Sequence, residues 1–248
     1  MTARKSAVRR KPQRKPVARS KPRAKPRPNP GAVPARDDLG AEKRRVRVVL
    51  SRLERQYPNA RCSLDHDSAL QLVIATILSA QCTDARVNMV TPHLFRRYPT
   101  AADLAQAEFP ELEAIIRSTG FFRNKAKSIV GCAQDLVEHH GGEVPGDLDS
   151  LVKLPGIGRK TANVVLGNAF GIPGVVVDTH VGRISHLLNL TAHKDPNKIE
   201  LDLMQVVPRA KWTSLAHLFI AHGRQVCVAR RPRCADCVLN DLCPSSDV

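Results

Sequence analysis

The sequence predicts an all-α fold from residue 38 onwards, and three observations support this prediction. Apolar residues recur at the three- and four-residue spacing of amphipathic helices through almost all of this region. Helix boundary signals accompany them, such as Ser68 as an N-cap and Pro58 as a stop. The β-like run Val175–Val177 is too short to build a sheet.

The expected helices follow one another along the chain. The first presents a set of apolar residues on one face, namely Val46, Val49, Leu50, Leu53 and Tyr57. The second runs from Leu70 to Leu78 and is apolar nearly all round, so it should be buried. Further helical patterns lie at 112–117, 125–139, 148–154, 160–170 and 212–223.

The first 36 residues differ sharply in composition from the rest of the chain. They hold 13 of the 39 Lys and Arg residues and no acid, which leaves residues 37–248 with only +3 of the total charge of +16. Because so little apolar surface cannot offset the entropy of ordering, we expect residues 1–37 to be a disordered basic tail. Such a tail attracts nucleic acid through counterion release, although a solubility tail or a transit peptide is an alternative.

No membrane span is expected. The longest dense apolar stretch, from Leu70 to Ala80, falls well short of the roughly 18–20 residues that a helix needs to cross a bilayer. The composition therefore excludes an integral membrane protein.

The segment LPGIGRKTA, residues 154–162, predicts a very short turn between two helices. Gly156 and Gly158 permit positive φ and let a ligand approach the backbone closely. The helix that starts there directs unpaired N–H groups and the positive end of its dipole into the same space. The turn therefore predicts an anion site, and a DNA phosphate is a suitable occupant.

Lys160 lies in the first turn of that helix, where a positive charge is electrostatically unfavourable. Beside Arg159 and partly desolvated, it is expected to lose its proton more easily, as a nucleophilic amine must. The alternative is a lysine that only contacts phosphate in an ordinary DNA-binding hairpin.

Asp178 ends the valine run and precedes a predicted helix. An acid at this position is commonly just an N-cap. The valines nevertheless place its carboxylate at a buried edge, where it could orient Lys160 or stabilise positive charge developing on a sugar ring. Spacing alone leaves both interpretations open.

Four of the seven cysteines lie close together near the end of the chain, with the spacing C-x6-C-x2-C-x5-C: Cys227, Cys234, Cys237 and Cys243. Without an export signal, this clustering indicates a metal site rather than disulfides. Zinc and an iron–sulfur cluster both accept four thiolates. Since only one pair shows the C-x2-C spacing typical of zinc, a [4Fe-4S] cluster is favoured.

Taken together, these features resemble the endonuclease III family of DNA glycosylase/AP lyases, within the helix-hairpin-helix superfamily. The resemblance covers about residues 42–244. It rests on LSAQCTD (78–84), LPGIGRKTANVV (154–165), VDTH (177–180), HGR (222–224) and the cysteine spacing, in this order.

The resemblance implies two helical lobes that flank a DNA-binding cleft. One lobe, residues 62–173, would be a six-helix barrel that contains the hairpin. The other would join residues 38–61 to residues 174–248 and carry the [4Fe-4S] cluster.

It also implies an activity, which is removal of oxidised pyrimidines from duplex DNA followed by strand cleavage 3′ to the abasic sugar. Lys160 matches the nucleophile that forms the Schiff base, and Asp178 matches the essential aspartate. The expected DNA contacts are Gln81, Phe121, Gly156, Gly158, Arg159, Thr161, His180, Arg230, Arg231 and Arg233. Gln81 would fill the gap left by the flipped base, and Phe121 stands where well-known members have a wedging leucine.

Several alternatives stay open. Gln81 could make only a helix-end hydrogen bond, and Phe121 could be a core aromatic. The chain could be an adenine mismatch glycosylase on the same scaffold, although such enzymes lack the hairpin lysine, or a non-catalytic DNA-binding protein. We expect a monomer in the bacterial cytoplasm, associated with the nucleoid, whose partner is double-stranded DNA with damaged pyrimidines or abasic sites.

Overall fold

The structure, a computed structural model, describes residues 39–248, and its regular elements there are all helical. The all-α prediction is thereby confirmed. The predicted tail, residues 1–37, lies outside the described residues. In chain order the helices are α1 (Leu39–Gln56), α2 (Ala69–Ser79), α3 (Asp84–Arg97), α4 (Ala101–Ala105), α5 (Phe109–Ile116), α6 (Phe122–His140), α7 (Leu148–Leu151), α8 (Arg159–Ala169), α9 (Thr179–Leu187), α10 (Pro196–Val206) and α11 (Trp212–Gln225).

Helices α2 to α8 enclose one hydrophobic core. The predicted N-cap of α2 is present, since Ser68 Oγ accepts a hydrogen bond from the Gln71 N–H at 3.2 Å. All seven of these helices contribute fully buried side chains to this core, among them Leu72, Leu94, Leu104, Leu112, Ile129, Leu151 and Val165. Each such side chain contributes about 1.5–3 kcal/mol to folding.

A second hydrophobic core joins α1 to helices α9, α10 and α11. The apolar face predicted for α1 is buried in it, together with the valine run 175–177 and Phe219. Ion pairs fasten α1 to later segments, for example Lys211 Nζ to Glu54 Oε1 at 2.6 Å and Arg52 to Asp241. From residue 39 onwards, the chain therefore contributes first to the second core, then forms the first core, and then returns to the second.

Two details differ from the sequence prediction. Helix α7 is a single turn that ends at Leu151, not at residue 154. Helices α3, α4 and α10 were not predicted from periodicity, and α3 contains Pro92 near its centre. Nowhere between residues 39 and 248 is a helix both long enough and apolar enough to span a bilayer.

Candidate active site

A cleft of about 570 Å³ is lined by residues that belong to both hydrophobic cores. The α2–α8 side contributes Gln81, Lys160 and Thr161. The other side contributes Asp178 and His217. The structure thus brings the predicted nucleophile and the predicted essential aspartate into one cleft.

The hairpin before α8 uses its two glycines for different reasons. Gly156 has a φ of +81°, and a Cβ there would lie 2.8 Å from Ser128 Cβ, so both backbone and packing require glycine. Gly158 has a φ of −93° and caps α8, with open space where a Cβ would be. Only Gly156 therefore needs the left-handed region, while Gly158 leaves the hairpin surface open to a ligand.

Lys160 is exposed in the first turn of α8, so the expectation that it is partly desolvated is wrong. Arg159 next to it donates two hydrogen bonds to the buried carboxylate of Glu200, at 2.8 and 3.0 Å. The Glu200 carboxylate compensates the charge of this guanidinium, so Arg159 does not supply the unbalanced positive charge expected beside Lys160. The pair instead ties the start of α8 to α10.

Asp178 is half-buried and caps α9, as the sequence suggested. Its Oδ1 accepts a hydrogen bond from the Val181 N–H at 2.8 Å. The buried valine run holds the residue at the edge of the second core, where it lines the cleft. Capping and a role in the cleft are therefore compatible, because the cap fixes the carboxylate through one oxygen.

Gln81 and Phe121 both have left-handed backbone, with φ of +53° and +47°. Phe121 is 63% exposed, so the alternative that it is a core aromatic is wrong. Gln81 is exposed and lines the cleft. Non-glycine residues in this conformation are uncommon and concentrate at functional sites.

The four clustered cysteines are all half-buried free thiols. Burial raises the pKa of Cys234 to about 11, and burial with repulsion from Cys227 and Cys243 raises the pKa of Cys237. Across residues 39–248, no three His, Cys, Asp or Glu side chains converge closely enough to hold a single metal ion.

Comparisons with known proteins agree with this geometry. The family described as "HhH-GPD superfamily base excision DNA repair protein" matches residues 74–209, and the "Iron-sulfur binding domain of endonuclease III" matches residues 227–243. Endonuclease III of Synechocystis is 53% identical over 209 residues, which span 84% of this chain and 95% of the relative. The chain belongs to the endonuclease III family.

Further relatives of the endonuclease III family cover similar lengths. Endonuclease III of Bacillus subtilis is 46% identical, over 81% of this chain and 92% of the relative. A solved structure of a trapped endonuclease III–DNA covalent intermediate is 44% identical with a TM-score of 0.77, over 81% of this chain and 95% of that one. The predicted class, a base excision repair DNA glycosylase/lyase that binds DNA, is confirmed.

The iron–sulfur prediction is confirmed by the match over residues 227–243. Donors around the four cysteines fit the endonuclease III cluster. The Arg183 guanidinium lies 3.4 Å from Cys227 Sγ, and the Leu239 N–H lies 3.4 Å from Cys237 Sγ. When bound, the cluster supplies iron–thiolate bonds that pin the C-terminal segment.

His222, the first residue of the HGR motif, is a further hydrogen-bond donor next to the clustered cysteines. Burial lowers the pKa of His222 to about 4, so its ring is neutral near pH 7. Its Nδ1 lies 3.0 Å from the Tyr57 hydroxyl, and its Nε2 lies 3.5 Å from Cys237 Sγ. A neutral ring that accepts from Tyr57 can donate its remaining N–H to the sulfur, as a cluster thiolate requires.

The loop between Cys227 and Cys234 carries the three arginines that were expected to contact DNA. Arg230 and Arg231 are exposed. Arg233 is also exposed, but its guanidinium donates to the Gln225 carbonyl, which closes the loop. His180 is half-buried, with Nδ1 3.5 Å from the Arg183 guanidinium, rather than free at the surface.

Two polar pairs in the cleft were not expected. Arg224 and Asp84 form an ion pair at 2.9 Å that joins the HGR motif to the LSAQCTD motif. His217 Nε2 lies 2.9 Å from Asn168 Oδ1, and both residues line the cleft. The endonuclease III motifs contained Asp84 and Arg224, but no local signal paired residues 140 positions apart.

Proposed function

We propose that this enzyme removes oxidised pyrimidines from duplex DNA and then cleaves the strand 3′ to the abasic sugar. The observation that carries the proposal is the presence of Lys160 and Asp178 in one cleft, with Gln81 at the same cleft. We place the enzyme, as a monomer, in the bacterial cytoplasm at the nucleoid, in line with its bacterial relatives.

The proposed chemistry needs the damaged nucleotide outside the helix, because its sugar is unreachable within a duplex. The Lys160 nitrogen attacks C1′, and the bond from C1′ to the base breaks as the new C–N bond forms. Asp178 stabilises the positive charge that develops on the sugar and accepts the lysine proton. The sugar ring then opens at O4′ to give an iminium.

Strand cleavage follows from that iminium. It acidifies the C2′ protons, so removal of one of them expels the 3′ phosphate by β-elimination. Hydrolysis of the imine then frees Lys160. Apart from the water that hydrolyses the imine, the reacting groups come from the cleft and the substrate.

The substrate proposal is tested by product analysis on a panel of duplexes that each carry one lesion. We expect release of an oxidised thymine or cytosine and a 3′ product with the unsaturated sugar. A duplex with adenine opposite oxidised guanine is the comparator. Activity on that mismatch without activity on oxidised pyrimidines would contradict the proposal.

We propose two lobes with the boundaries 62–173 and 38–61 plus 174–248. The separate hydrophobic cores support this division, since one lies within residues 64–166 and the other within 46–57 and 175–239. The cleft between the cores is then the DNA site. The unpaired amides at the start of α8, next to Gly158, are proposed to bind a phosphate, together with Thr161 and the exposed arginines 230 and 231.

Substitution of each hairpin glycine by alanine is expected to separate folding from DNA binding. Gly156→Ala should lower the free energy of unfolding by about 2 kcal/mol. The positive φ at residue 156 is strained for alanine, and the added Cβ would clash with Ser128. Gly158→Ala should leave thermal unfolding nearly unchanged but weaken duplex binding, because its methyl group occupies the surface offered to phosphate. Thermal melts and fluorescence anisotropy check the two effects, and unchanged binding by Gly158→Ala would argue against a phosphate at this turn.

Removal of residues 1–36 is expected to weaken duplex binding and flatten its salt dependence. The segment carries 13 cations, and each phosphate contact that is lost lowers the slope of log K against log salt by about 0.9. Single-turnover cleavage at saturating protein should be nearly unchanged, because the cleft lies in residues 59–225. A full-length variant with these lysines and arginines replaced by glutamine is the matched control for length. Loss of the chemical step on truncation would contradict this role.

A further inference from the structure

Lys125 on α6 is a buried lysine that the proposed chemistry does not use. Its side chain is 4% exposed, and its Nζ donates to the carbonyl oxygens of Leu78 at 2.7 Å and Thr119 at 2.8 Å. Among the described residues it forms no salt bridge. Burial lowers the pKa of Lys125.

A buried ammonium is energetically unfavourable at a core position. Taking an ammonium out of water costs several kcal/mol, and two carbonyl acceptors offset this only in part. An unbranched apolar side chain of similar size would fill the space at a lower cost. A lysine at this position is therefore explained if the role of its two hydrogen bonds outweighs the free-energy cost of burying its ammonium.

One carbonyl belongs to the segment that presents Gln81 to the cleft, and the other belongs to the segment that exposes Phe121. Leu78 lies near the end of α2, three positions before Gln81, and Thr119 lies two positions before Phe121. Phe121 is also the N-cap of α6, and its carbonyl accepts from the Lys125 N–H at 3.1 Å. The buried Lys125 side chain thus contacts both segments on the side that faces away from solvent.

Each segment also carries backbone strain. Gln81 and Phe121 are left-handed non-glycine residues, at a cost of roughly 1–2 kcal/mol each. Strained residues keep their conformation only where their surroundings fix it. A single nitrogen bonded to both segments fixes each of them relative to the other.

We infer that Lys125 is a positioning residue that sets the spacing between Gln81 and Phe121, so that both side chains enter the duplex together when a nucleotide is flipped. The inference rests on the proposed function, since it assumes that these residues replace the extruded nucleotide. Lys125 itself is too buried to touch DNA. Its effect should therefore be confined to substrates in which a stacked duplex must be opened.

The test compares duplex and single-stranded substrates in the Lys125→Met variant of the full-length protein. In single-turnover reactions, borohydride trapping on an abasic site in a duplex should slow by roughly 100-fold, the effect of a misplacement of about 1 Å. Trapping on the same abasic strand without its complement should stay within about threefold, because no stack has to be opened. The 2-aminopurine signal from a base next to the site should no longer rise on binding to duplex.

Lys127→Met is the matched control, because Lys127 lies on the same helix and is exposed. It should behave as the parent does on both substrates. If the parent itself traps neither substrate, the proposed function fails. The positioning role is overturned if the trapping rate of Lys125→Met falls equally with single-stranded and duplex DNA. It is also overturned if the rate falls with neither substrate.

A measurement independent of catalysis keeps the inference testable if Lys125→Met folds poorly. In Lys125→Gln, amide hydrogen exchange should accelerate at residues 79–82 and 119–122 and stay as in the parent across α8 and α11. Unchanged exchange in the two segments would show that Lys125 does not hold them.

Discussion

The Lys160→Ala variant is expected to bind duplex DNA with an abasic site but to form no covalent complex when borohydride is added. Without the amine no C–N bond to C1′ can form, so base release and β-elimination both stop. Loss of a nucleophile typically lowers the rate by roughly 10⁴-fold or more. Binding should persist, because Lys160 is exposed and the hairpin amides remain in place.

The matched control for this variant is Lys153→Ala. Lys153 is also exposed, and it lies in the turn that leads into the same hairpin. It should trap DNA at the rate of the parent. A covalent complex formed by Lys160→Ala would assign the nucleophile to another amine and would remove the basis of the proposed mechanism.

The Asp178→Asn variant is expected to lose chemistry without losing stability. Asparagine caps a helix about as well as aspartate, so the free energy of unfolding should change by less than about 0.5 kcal/mol. The negative charge that faces the cleft is lost, and single-turnover base release should fall by roughly 100-fold or more. Chemical denaturation and single-turnover kinetics measure the two quantities separately.

The Asp178→Ala variant gives the complementary result. It removes the hydrogen bond to the Val181 N–H and should cost about 1 kcal/mol of stability in addition to the same kinetic loss. If Asp178→Asn retained the parent rate while Asp178→Ala lost stability, the carboxylate would be a helix cap alone.

Local patterns predicted the helices whose signals lie within one turn. Ser68 and Asp178 were expected as caps, and both side chains accept the backbone hydrogen bonds of their helices. The apolar face of α1 was also expected and is buried. In each case the residues that define the element are neighbours in the sequence.

What could not be predicted depends on distant partners. Glu200 is buried in α10 because it pairs with Arg159, 41 positions earlier, and this pairing also removed the charge expected beside Lys160. Lys125 is buried because two carbonyls from separate segments accept hydrogen bonds from its Nζ. Both acceptors of Lys125 are backbone carbonyls, which every residue has, so no sequence motif could have revealed them.

The return of the chain to its starting core has a consequence for biosynthesis. As the ribosome releases the polypeptide from its N-terminus, residues 64–166 can pack before translation ends, whereas the apolar face of α1 has to wait for residues 175–239 to emerge. The four clustered cysteines, at 227–243, are also synthesised late. The cluster ligands are therefore completed only after most of the second core has been synthesised, and a product terminated before residue 175 would contain Lys160 but lack Asp178.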